Sequence, residues 1–258
     1  MTRPRDYQTE AVVIKKTKLG EADRILTFYT PHMGKIQGVA KSVRKPKSKM
    51  AGHLELLTYC NVQFQRGKGN LDTITGASTI DGFLALKNDL LLTSYGLYII
   101  ELVNQFTPEE TEDDAAAFHL LVTTLKDLYT TENRDLLVRY FELKLLDLMG
   151  YRPELRECVA CGKQLEPVIN FFSASAGGTL CPMCGHKHVF SQEITVNAIK
   201  VLRFIQDNDF TVVSRLKIDN RLARELEAIT RHYLKYLLER DVKSVAWIDT
   251  LRANLSSK

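Results

Sequence analysis

The sequence predicts an α+β protein, with an N-terminal OB-fold β-barrel followed by an α-helical bundle domain that carries a cysteine-rich insert. Three observations predict this fold class. Short apolar runs separated by turn residues fill the segment 1–80, and helical spacing of apolar residues fills most of the rest. Two closely spaced cysteine pairs interrupt the helical part. Domains are therefore expected at 1–80 and 81–258, with the insert at about 155–190.

The N-terminal segment 1–80 is predicted to form β-strands. Apolar residues alternate or cluster in five short runs, at 11–14, 25–29, 36–39, 54–64 and 71–74. Turn signals separate the runs at Gly20, 31–34 and 67–70. Five short strands with glycine-marked turns predict a small barrel. An OB-fold is favoured, although an SH3-like barrel fits the periodicity almost as well.

From residue 81 the apolar spacing becomes helical. One helix is expected at 84–106, and a second follows a capping-box-like start formed by Thr111 and Asp114. A third helix is expected at about 133–149, where Gly150 is well placed to end it. Beyond the insert, helical patterning returns in three segments, at 193–207, at 219–239 and, more weakly, at 244–255.

Length and hydropathy set the broad class. With 258 residues, 45% of them hydrophobic, the chain can bury a substantial core in one or two domains. No stretch approaches the roughly 18 apolar residues of a membrane span. The charged first residues do not resemble a secretory signal. We therefore expect a cytoplasmic protein in a reducing compartment, where disulfides are rare.

The charge of the chain is unevenly distributed. The formal net charge is +4 overall, but residues 1–80 contain 14 Lys+Arg and 6 Asp+Glu, a balance of +8. Residues 81–258 contain the remaining 21 and 25, a balance of −4. A small domain with a charge of +8 attracts polyanions, so the N-terminal domain is the expected nucleic-acid-binding part.

A basic segment within that domain supplies candidate DNA-binding residues. Six cations without an acid among them lie close together in the sequence: Lys35, Lys41, Arg44, Lys45, Lys47 and Lys49. Cationic grooves on OB-folds follow the phosphate backbone, and neighbouring aromatic side chains such as Tyr29 and Phe64 could stack on bases. Aromatic residues in strands belong to the core more often. Contacts of this kind are expected to tolerate any sequence and to weaken with salt.

Four cysteines form the most specific motif of the chain. They are arranged as two C-x2-C pairs, one at 158–161 and one at 181–184, and consist of Cys158, Cys161, Cys181 and Cys184. Such pairs can complete a tetrahedron around one Zn²⁺, and four thiolates leave no open coordination position, so a structural zinc site is expected. Two disulfides or four unrelated buried cysteines are the alternatives.

Residues near the cysteine pairs have simpler expected roles. Gly162 and Gly185 follow the two pairs and permit a left-handed backbone there. His186 and His188 are substitute ligands in principle, but four cysteines already fill a site, so surface roles are favoured. Cys60, within a strand pattern, is interpreted as a small buried hydrophobe.

Motifs for catalysis are missing from the sequence. There is no Walker A pattern, no H-E-x-x-H and no G-x-S-x-G, so the chain is not expected to be an enzyme. The acidic residues at 109–114 could hold a divalent cation in a DNA-processing enzyme, but an acidic helix start is the preferred interpretation. A zinc-containing protein-interaction adaptor without DNA binding is the other alternative.

Several segments together resemble the RecO family. The N-terminal ones are similar to its OB domain, namely 19–24 (LGEADR), 28–30 (FYT), 34–36 (GKI), 39–41 (VAK) and 47–49 (KSK). The helical and cysteine blocks follow in the same order, at 95–102 (YGLYIIEL), 141–151 (FELKLLDLMGY), 158–162 (CVACG) and 177–184 (GGTLCPMC). The last two blocks resemble the version of the family that carries a zinc-ribbon-like insert.

The resemblance implies a recombination mediator in DNA repair. Members bind single- and double-stranded DNA, anneal complementary strands and form a complex with RecR. They also engage the acidic tail of single-stranded DNA-binding protein and help RecA to replace it. The resemblance implies DNA contacts for Lys35, Lys41, Arg44 and Arg24, although Arg24 could instead pair with Asp23 or Glu21. It also implies a tail contact for Arg139, for which a solvated helix cation is the alternative.

Overall fold

A computed structural model describes residues 5–67, 71–109 and 115–256, and these form two compact units. One unit combines Met1–Tyr129 with Lys243–Lys258, and the other is Thr130–Val242. The strands are β1 (Asp6–Leu19), β2 (Asp23–Thr30), β3 (Gly34–Ala40), β4 (Tyr59–Gln65), β5 (Asp72–Asp81), β6 (Asn170–Ser173), β7 (Gly178–Leu180) and β8 (Ser191–Ile194). The helices are α1 (Leu84–Lys87), α2 (Leu90–Phe106), α3 (Ala115–Asp127), α4 (Arg134–Leu148), α5 (Pro182–Gly185), α6 (Val196–Asp207), α7 (Phe210–Val213), α8 (Asn220–Leu238) and α9 (Lys243–Ser256).

The first five strands close into a barrel in the order β1-β2-β3-β5-β4, with β4 pairing back onto β1. All neighbours are antiparallel except β3 and β5, which run parallel. This order is that of an OB-type barrel. The OB-fold expectation is therefore confirmed, and the structure chooses between the two barrels that periodicity leaves open.

The barrel interior explains why the apolar pattern detects its strands but not their lengths. Inward residues such as Val13, Phe28 and Val62 are buried and form one apolar cluster. Gly38 lies in this interior, and a Cβ there would approach within 2.8 Å of the Phe64 ring. Strand β1 is much longer than the predicted run at 11–14. The apolar pattern detects only the buried middle of this strand, because its two ends are polar and largely exposed.

The segment before β4 departs from the sequence expectation. A 3-10 helix, Gly52–Leu54, ends at the first residue of the predicted strand at 54–64, and the observed strand begins only at Tyr59. Leu57 has a φ of +58°, which is left-handed and incompatible with a continuing strand. Its side chain is nevertheless buried. The part of the apolar run that precedes Tyr59 therefore fills the core from a turn, and the rest does so from β4.

Helices complete the first unit. The helix expected at 84–106 is divided into α1 and α2 at Asn88 and Asp89, and the Asp89 side chain accepts a hydrogen bond from Leu92 N at 2.9 Å. Strand structure gives way to helix between Asp81 and Leu84, near the predicted boundary. The contact-defined unit nevertheless extends to Tyr129 and includes α9. The predicted capping box of Thr111 and Asp114 lies outside the described residues.

The second unit packs α4 against α6, α7 and α8, beside a small sheet of order β7-β6-β8. Helices α4, α6, α8 and α9 confirm the predicted segments at 133–149, 193–207, 219–239 and 244–255. The pattern does not predict the sheet or the short helices, since each of these elements is three or four residues long. Among the described residues, no helix is long and apolar enough to cross a membrane.

Candidate nucleic-acid interface and metal centre

Most of the basic segment, at 41–49, leaves the barrel directly after β3. Its cations Lys41, Arg44, Lys45, Lys47 and Lys49 are all exposed. Two hydrogen bonds from main-chain N–H groups fix the start of this stretch to the β1–β2 turn and to the first residue of β2. Ser42 N donates to Asp23 Oδ1 at 2.6 Å, and Arg44 N donates to the Ala22 carbonyl at 3.0 Å. Val43 is buried in the barrel core, so the cations beside it are held at one end of the barrel.

Strand register adds Arg24 to this end. Arg24 pairs across the sheet with Ala40 on β3 and with Lys18 on β1. Its guanidinium lies 4.0 Å from a Glu55 carboxylate oxygen. Among the described residues, Arg24 forms no ion pair with Asp23 or Glu21, the two partners suggested from the sequence. Asp23 instead accepts the hydrogen bond from Ser42.

A cleft of about 340 Å³ lies beside Arg24. Its lining consists of Arg24, Leu26, Val43, Arg44, Lys45, Pro46, Ala51, Leu54 and Glu55. The floor is therefore apolar, and the rim has three cations and one carboxylate. Lys16 is not a lining residue, but its ammonium nitrogen lies 2.5 Å from Glu55 Oε2, which places a further cation beside the cleft. An anion that enters this cleft meets a high local density of positive charge.

Sequence reasoning missed Lys16 and Lys18. Both lie on β1 at spacing two, which places them on the same face of the strand. That alternation is visible in the sequence. Their proximity to Arg24 is not, because it depends on the pairing of Lys16 with Leu26 and of Lys18 with Arg24.

Lys35 lies apart from the other predicted cations. It is near the start of β3, whereas Lys41 follows the end of the same strand, so the two are about 20 Å apart along an extended backbone. Lys35 Nζ donates to the Asn104 carbonyl of α2 at 2.8 Å. The structure therefore assembles six of the seven predicted DNA-binding residues at one end of the barrel and places Lys35 near the other.

The aromatic residues suggested for base stacking are part of the core. Tyr29 is 0% exposed and Phe64 is 1% exposed. The Phe64 ring stacks on Tyr7 and meets Phe28 edge to face. The suggestion that these two side chains stack on bases is therefore wrong, and the usual interpretation of strand aromatics as core residues is confirmed.

The four predicted metal ligands converge at one point. The sulfur atoms of Cys158, Cys161, Cys181 and Cys184 all lie within 4.8 Å of one another. Tetrahedral Zn–S bonds of about 2.3 Å separate the sulfurs by roughly 3.8 Å, and Cys161 Sγ lies 4.0 Å from Cys181 Sγ. The cluster therefore has the size and donor chemistry to hold a metal ion. All the cysteines are free thiols, so the two-disulfide alternative is not what the structure shows.

Two tight turns create this convergence. In the first, Gly162 N donates to the Cys158 carbonyl at 2.8 Å, and Gly162 has a φ of +69°, as predicted. In the second, Cys181 caps α5 and Gly185 N donates to its carbonyl at 2.8 Å. Gly185 is helical and not left-handed, so that expectation is wrong. It must be glycine because a Cβ there would lie 2.2 Å from the Phe171 ring.

The electrostatics of the cluster favour a cation. Burial opposes ionisation of Cys158, but main-chain N–H groups of Cys181, Ala160 and Cys161 outweigh it and lower the pKa of Cys158 to about 6. The hydrogen bond with the Cys181 side chain, together with burial and the charge of Cys158, raises the pKa of Cys184 to about 12. The sulfurs thus resist simultaneous ionisation in the absence of a cation, and a bound metal ion reverses that balance.

Other residues singled out near the cysteines have separate contacts. The His186 ring lies 4.7 Å from the Phe171 ring, and His188 Nδ1 lies 3.4 Å from Ser173 Oγ. Neither belongs to the metal-ligating group found among the described residues. Cys60 is 0% exposed inside the barrel, and burial raises its pKa to about 12. Its interpretation as a small buried hydrophobe is confirmed.

Arg139 occupies the interior of the second unit and is only 4% exposed. Its guanidinium forms an ion pair with Glu142 at 2.8 Å, lies 3.9 Å from Glu227 and donates to Thr230 Oγ1 at 3.1 Å. The alternative of a solvated helix cation is therefore wrong. The carboxylates that Arg139 meets in the structure belong to its own chain. Of the acidic cluster at 109–114, residues 110–114 lie outside the described residues.

These features define an OB-type barrel protein with a cationic barrel end and a four-cysteine cluster able to hold a metal ion. Comparison with known proteins then identifies the family. Models described as Recombination protein O N terminal and C terminal match residues 1–83 and 87–246. The chain belongs to the RecO family, which confirms the resemblance seen in its motifs and gives it a role in recombinational DNA repair.

Individual relatives agree over nearly the whole chain. The chain is 47% identical over 252 residues to a DNA repair protein RecO of Dehalococcoides mccartyi (strain CBDB1), covering 98% of both chains. It is 39% identical to the DNA repair protein RecO of Roseiflexus sp. (strain RS-1), covering 98% of this chain and 88% of the relative. It is 30% identical to that of Symbiobacterium thermophilum, covering 96% and 98%.

Proposed function

We propose that this protein is a non-catalytic recombination mediator that binds single- and double-stranded DNA at the cationic end of its barrel. One observation carries the proposal. Five exposed cations of the basic segment and Arg24 lie at the same barrel end, beside a cleft with an apolar floor. Family membership supplies the repair context.

Binding of this kind follows the phosphate backbone. Lysine and arginine side chains on a segment with no acid among them neutralise phosphates without reading bases. The core positions of Tyr29 and Phe64 remove these two as stacking platforms. Affinity should therefore depend weakly on sequence and strongly on salt. Lys35 is also proposed to bind DNA, but at a separate point of the barrel, because its ammonium group donates a hydrogen bond to the Asn104 carbonyl of α2.

The test is oligonucleotide binding at several salt concentrations with a triple variant, Lys41→Ala, Arg44→Ala and Lys45→Ala. Loss of three phosphate contacts should flatten the salt slope by about three units on duplex and about two on a single strand. A matched triple variant removes three exposed lysines elsewhere, at Lys126, Lys200 and Lys243. It should leave the slope unchanged.

Two results would reject the DNA-binding proposal. An unchanged slope and affinity in the first triple variant would remove the basic segment from the interface. No DNA binding at low salt by the wild-type chain would favour the protein-interaction adaptor.

The mediator role includes partner proteins. We propose that the chain anneals complementary strands, forms a complex with RecR, engages the acidic tail of single-stranded DNA-binding protein and helps RecA to replace that protein. A cytoplasmic, nucleoid-associated location is part of this proposal. Annealing of oligonucleotides coated with single-stranded DNA-binding protein tests it. Removal of the acidic tail from the coating protein should slow annealing of coated strands by this chain, whereas naked strands should be annealed without the coating protein.

The cysteine cluster is proposed to hold one structural Zn²⁺. Cys158, Cys161, Cys181 and Cys184 would be its ligands, and the ion would join two turns that lie in a segment with little apolar core. The expected metal content is one zinc per chain. A Cys184→Ser variant should lose most of that zinc and lower the unfolding temperature, whereas Cys60→Ser should retain the zinc. Full zinc content in Cys184→Ser would contradict the assignment.

A further inference from the structure

Glu55 has an unusual position at the cationic end of the barrel. It follows the 3-10 helix Gly52–Leu54, and it is the acid among the described residues that line the cleft. Its carboxylate bridges two cations from different strands, with Lys16 Nζ at 2.5 Å and an Arg24 nitrogen at 4.0 Å. One carboxylate thus neutralises part of the positive charge at the cleft, next to Lys16 and Arg24.

The exposures of these side chains show which group can move. The Glu55 side chain is 55% exposed, whereas Lys16 is 12% and Arg24 is 29% exposed. The two cations are therefore largely packed against the protein, whereas more than half of the Glu55 side chain is accessible to solvent. The Glu55 partner of these ion pairs is solvent-exposed, so water and salt screen its attraction to the two cations. Glu55 can rotate into water while Lys16 and Arg24 remain in place.

We propose that the cleft is a phosphate-binding subsite and that the Glu55 carboxylate is its internal ligand. This inference rests on the proposed DNA binding and deepens it. A phosphodiester group of a bound strand replaces the carboxylate and takes over its contacts with Lys16 and Arg24. Both groups are monoanions that offer oxygen acceptors to the same donors, so the two compete for one position.

Competition by Glu55 lowers the affinity of the cleft for a phosphate group. A phosphate that enters the subsite must displace a carboxylate that is covalently attached nearby, so the affinity is lower than the cations alone would give. Phosphates held by Lys41 or Lys47 meet no such competitor within the basic segment. Glu55 therefore weakens one contact of the interface without removing it.

Lys87 must be considered in any test of Glu55. Burial lowers the pKa of Lys87, while the charge of Glu55 acts in the opposite direction and that of Lys16 adds to the lowering. Lys87 Nζ donates to Thr58 Oγ1 at 2.8 Å. Removal of the Glu55 charge therefore also affects a half-buried lysine, so unfolding temperatures are needed alongside the binding data.

The experiment measures oligonucleotide binding by Glu55→Gln, which keeps the shape of the side chain and removes its charge. We expect about fivefold tighter binding, equivalent to about 1 kcal/mol, with an unchanged salt slope because the number of phosphates contacted is the same. Glu193→Gln is the matched control, since it removes one exposed charge from β8. Glu55→Asp, with a shorter reach to Lys16, should bind with intermediate affinity.

A double-mutant cycle separates this mechanism from a general charge effect. In a chain that also carries Lys16→Gln and Arg24→Gln, the gain from Glu55→Gln should disappear, because no cations remain for it to release. Equal gains from Glu55→Gln and Glu193→Gln, or no gain from Glu55→Gln with its unfolding temperature unchanged, would overturn the subsite. If Glu55→Gln unfolds, the binding of Glu55→Asp decides between the same outcomes. Absence of DNA binding by wild type would instead refute the proposed function.

Discussion

The buried pair of Arg139 and Glu142 gives a sharp test of how the second unit is held together. The two side chains are 5% and 0% exposed and lie 2.8 Å apart. Replacement of Arg139 by Ala leaves the Glu142 carboxylate in the interior without its closest cation. Loss of one partner from a buried ion pair costs about 3–5 kcal/mol, much more than loss of a surface pair. Arg139→Ala should therefore lower the unfolding temperature by roughly 10 °C.

The measurement is thermal and urea unfolding followed by far-UV circular dichroism. Trp247 is the single tryptophan of the chain and lies in α9 of the first unit, so its fluorescence reports on that unit. Replacement of the pair by apolar residues of similar size, Arg139→Met with Glu142→Leu, should restore most of the lost stability. A change of less than about 1 kcal/mol in Arg139→Ala would refute the reasoning.

This experiment also bears on the proposed tail contact of Arg139. A tail carboxylate can reach this arginine if it replaces Glu142 or Glu227, the two acids that the guanidinium meets in the structure. A folded Arg139→Ala variant with wild-type stability and no tail binding would support the contact with single-stranded DNA-binding protein. Loss of stability and of tail binding in parallel, with both restored in the apolar double variant, would assign the residue a structural role.

Three further predictions concern packing and thiol chemistry. Gly185→Ala should lower stability by about 1–3 kcal/mol and reduce metal retention, since its Cβ would lie 2.2 Å from the Phe171 ring; unchanged metal content under mild chelation would contradict this. Gly38→Ala should cost a similar amount in the barrel, because its Cβ would lie 2.8 Å from Phe64, and urea unfolding measures it. In the native protein Cys60 should resist alkylation, because it is buried and its pKa is about 12, and should react after unfolding; rapid modification in the native state would show that the barrel opens.

The sequence predicts what depends on local periodicity and on ligand chemistry. Two C-x2-C pairs predict one shared site because a thiolate-bound metal needs four ligands, and the sulfurs do converge. Strands are detected wherever apolar residues mark the core, as at 25–29. They are missed where a strand is exposed, as in the second half of β5, whose residues are mostly polar and half-exposed or exposed. The apolar pattern of a sequence therefore detects buried residues, and it detects a strand only where residues of that strand are buried.

The composition of the candidate interface could not be predicted in full, because it depends on register. Lys16 and Arg24 meet through the pairing of β1 with β2, and Glu55, which is distant in the sequence, reaches them from the turn before β4. A shift of one residue in the pairing of β1 with β2 would move the side chains of one strand to the opposite face of the sheet. The sequence pattern does not determine that register. It therefore shows how many charged residues the N-terminal segment has, but not which of them lie together in the fold.

The sequence of α4 contains enough information to predict that Arg139 is buried. Buried apolar residues flank it along α4, at 136–138, 141, 143 and 145–146, whereas Tyr140, Lys144 and Asp147 lie at half-exposed positions of the helix. A cation among the buried positions of such a helix requires an internal partner. Glu142, three positions further on, lies on the same face and supplies that partner. The tail contact of Arg139 stays a prediction, and it requires a tail carboxylate to compete with this internal partner.

The end of the chain shows a limit of a different kind. Helix α9 begins where Glu101 of α2 accepts hydrogen bonds from Lys243 N and Ser244 N, both at 2.9 Å. Those groups need partners at any helix start, and they are usually satisfied by the residue just before the helix. Here the acceptor belongs to a helix in a much earlier part of the sequence. Local start signals therefore predict only a weak helix at 244–255, and nothing in the periodicity connects that helix to the unit that contains the barrel.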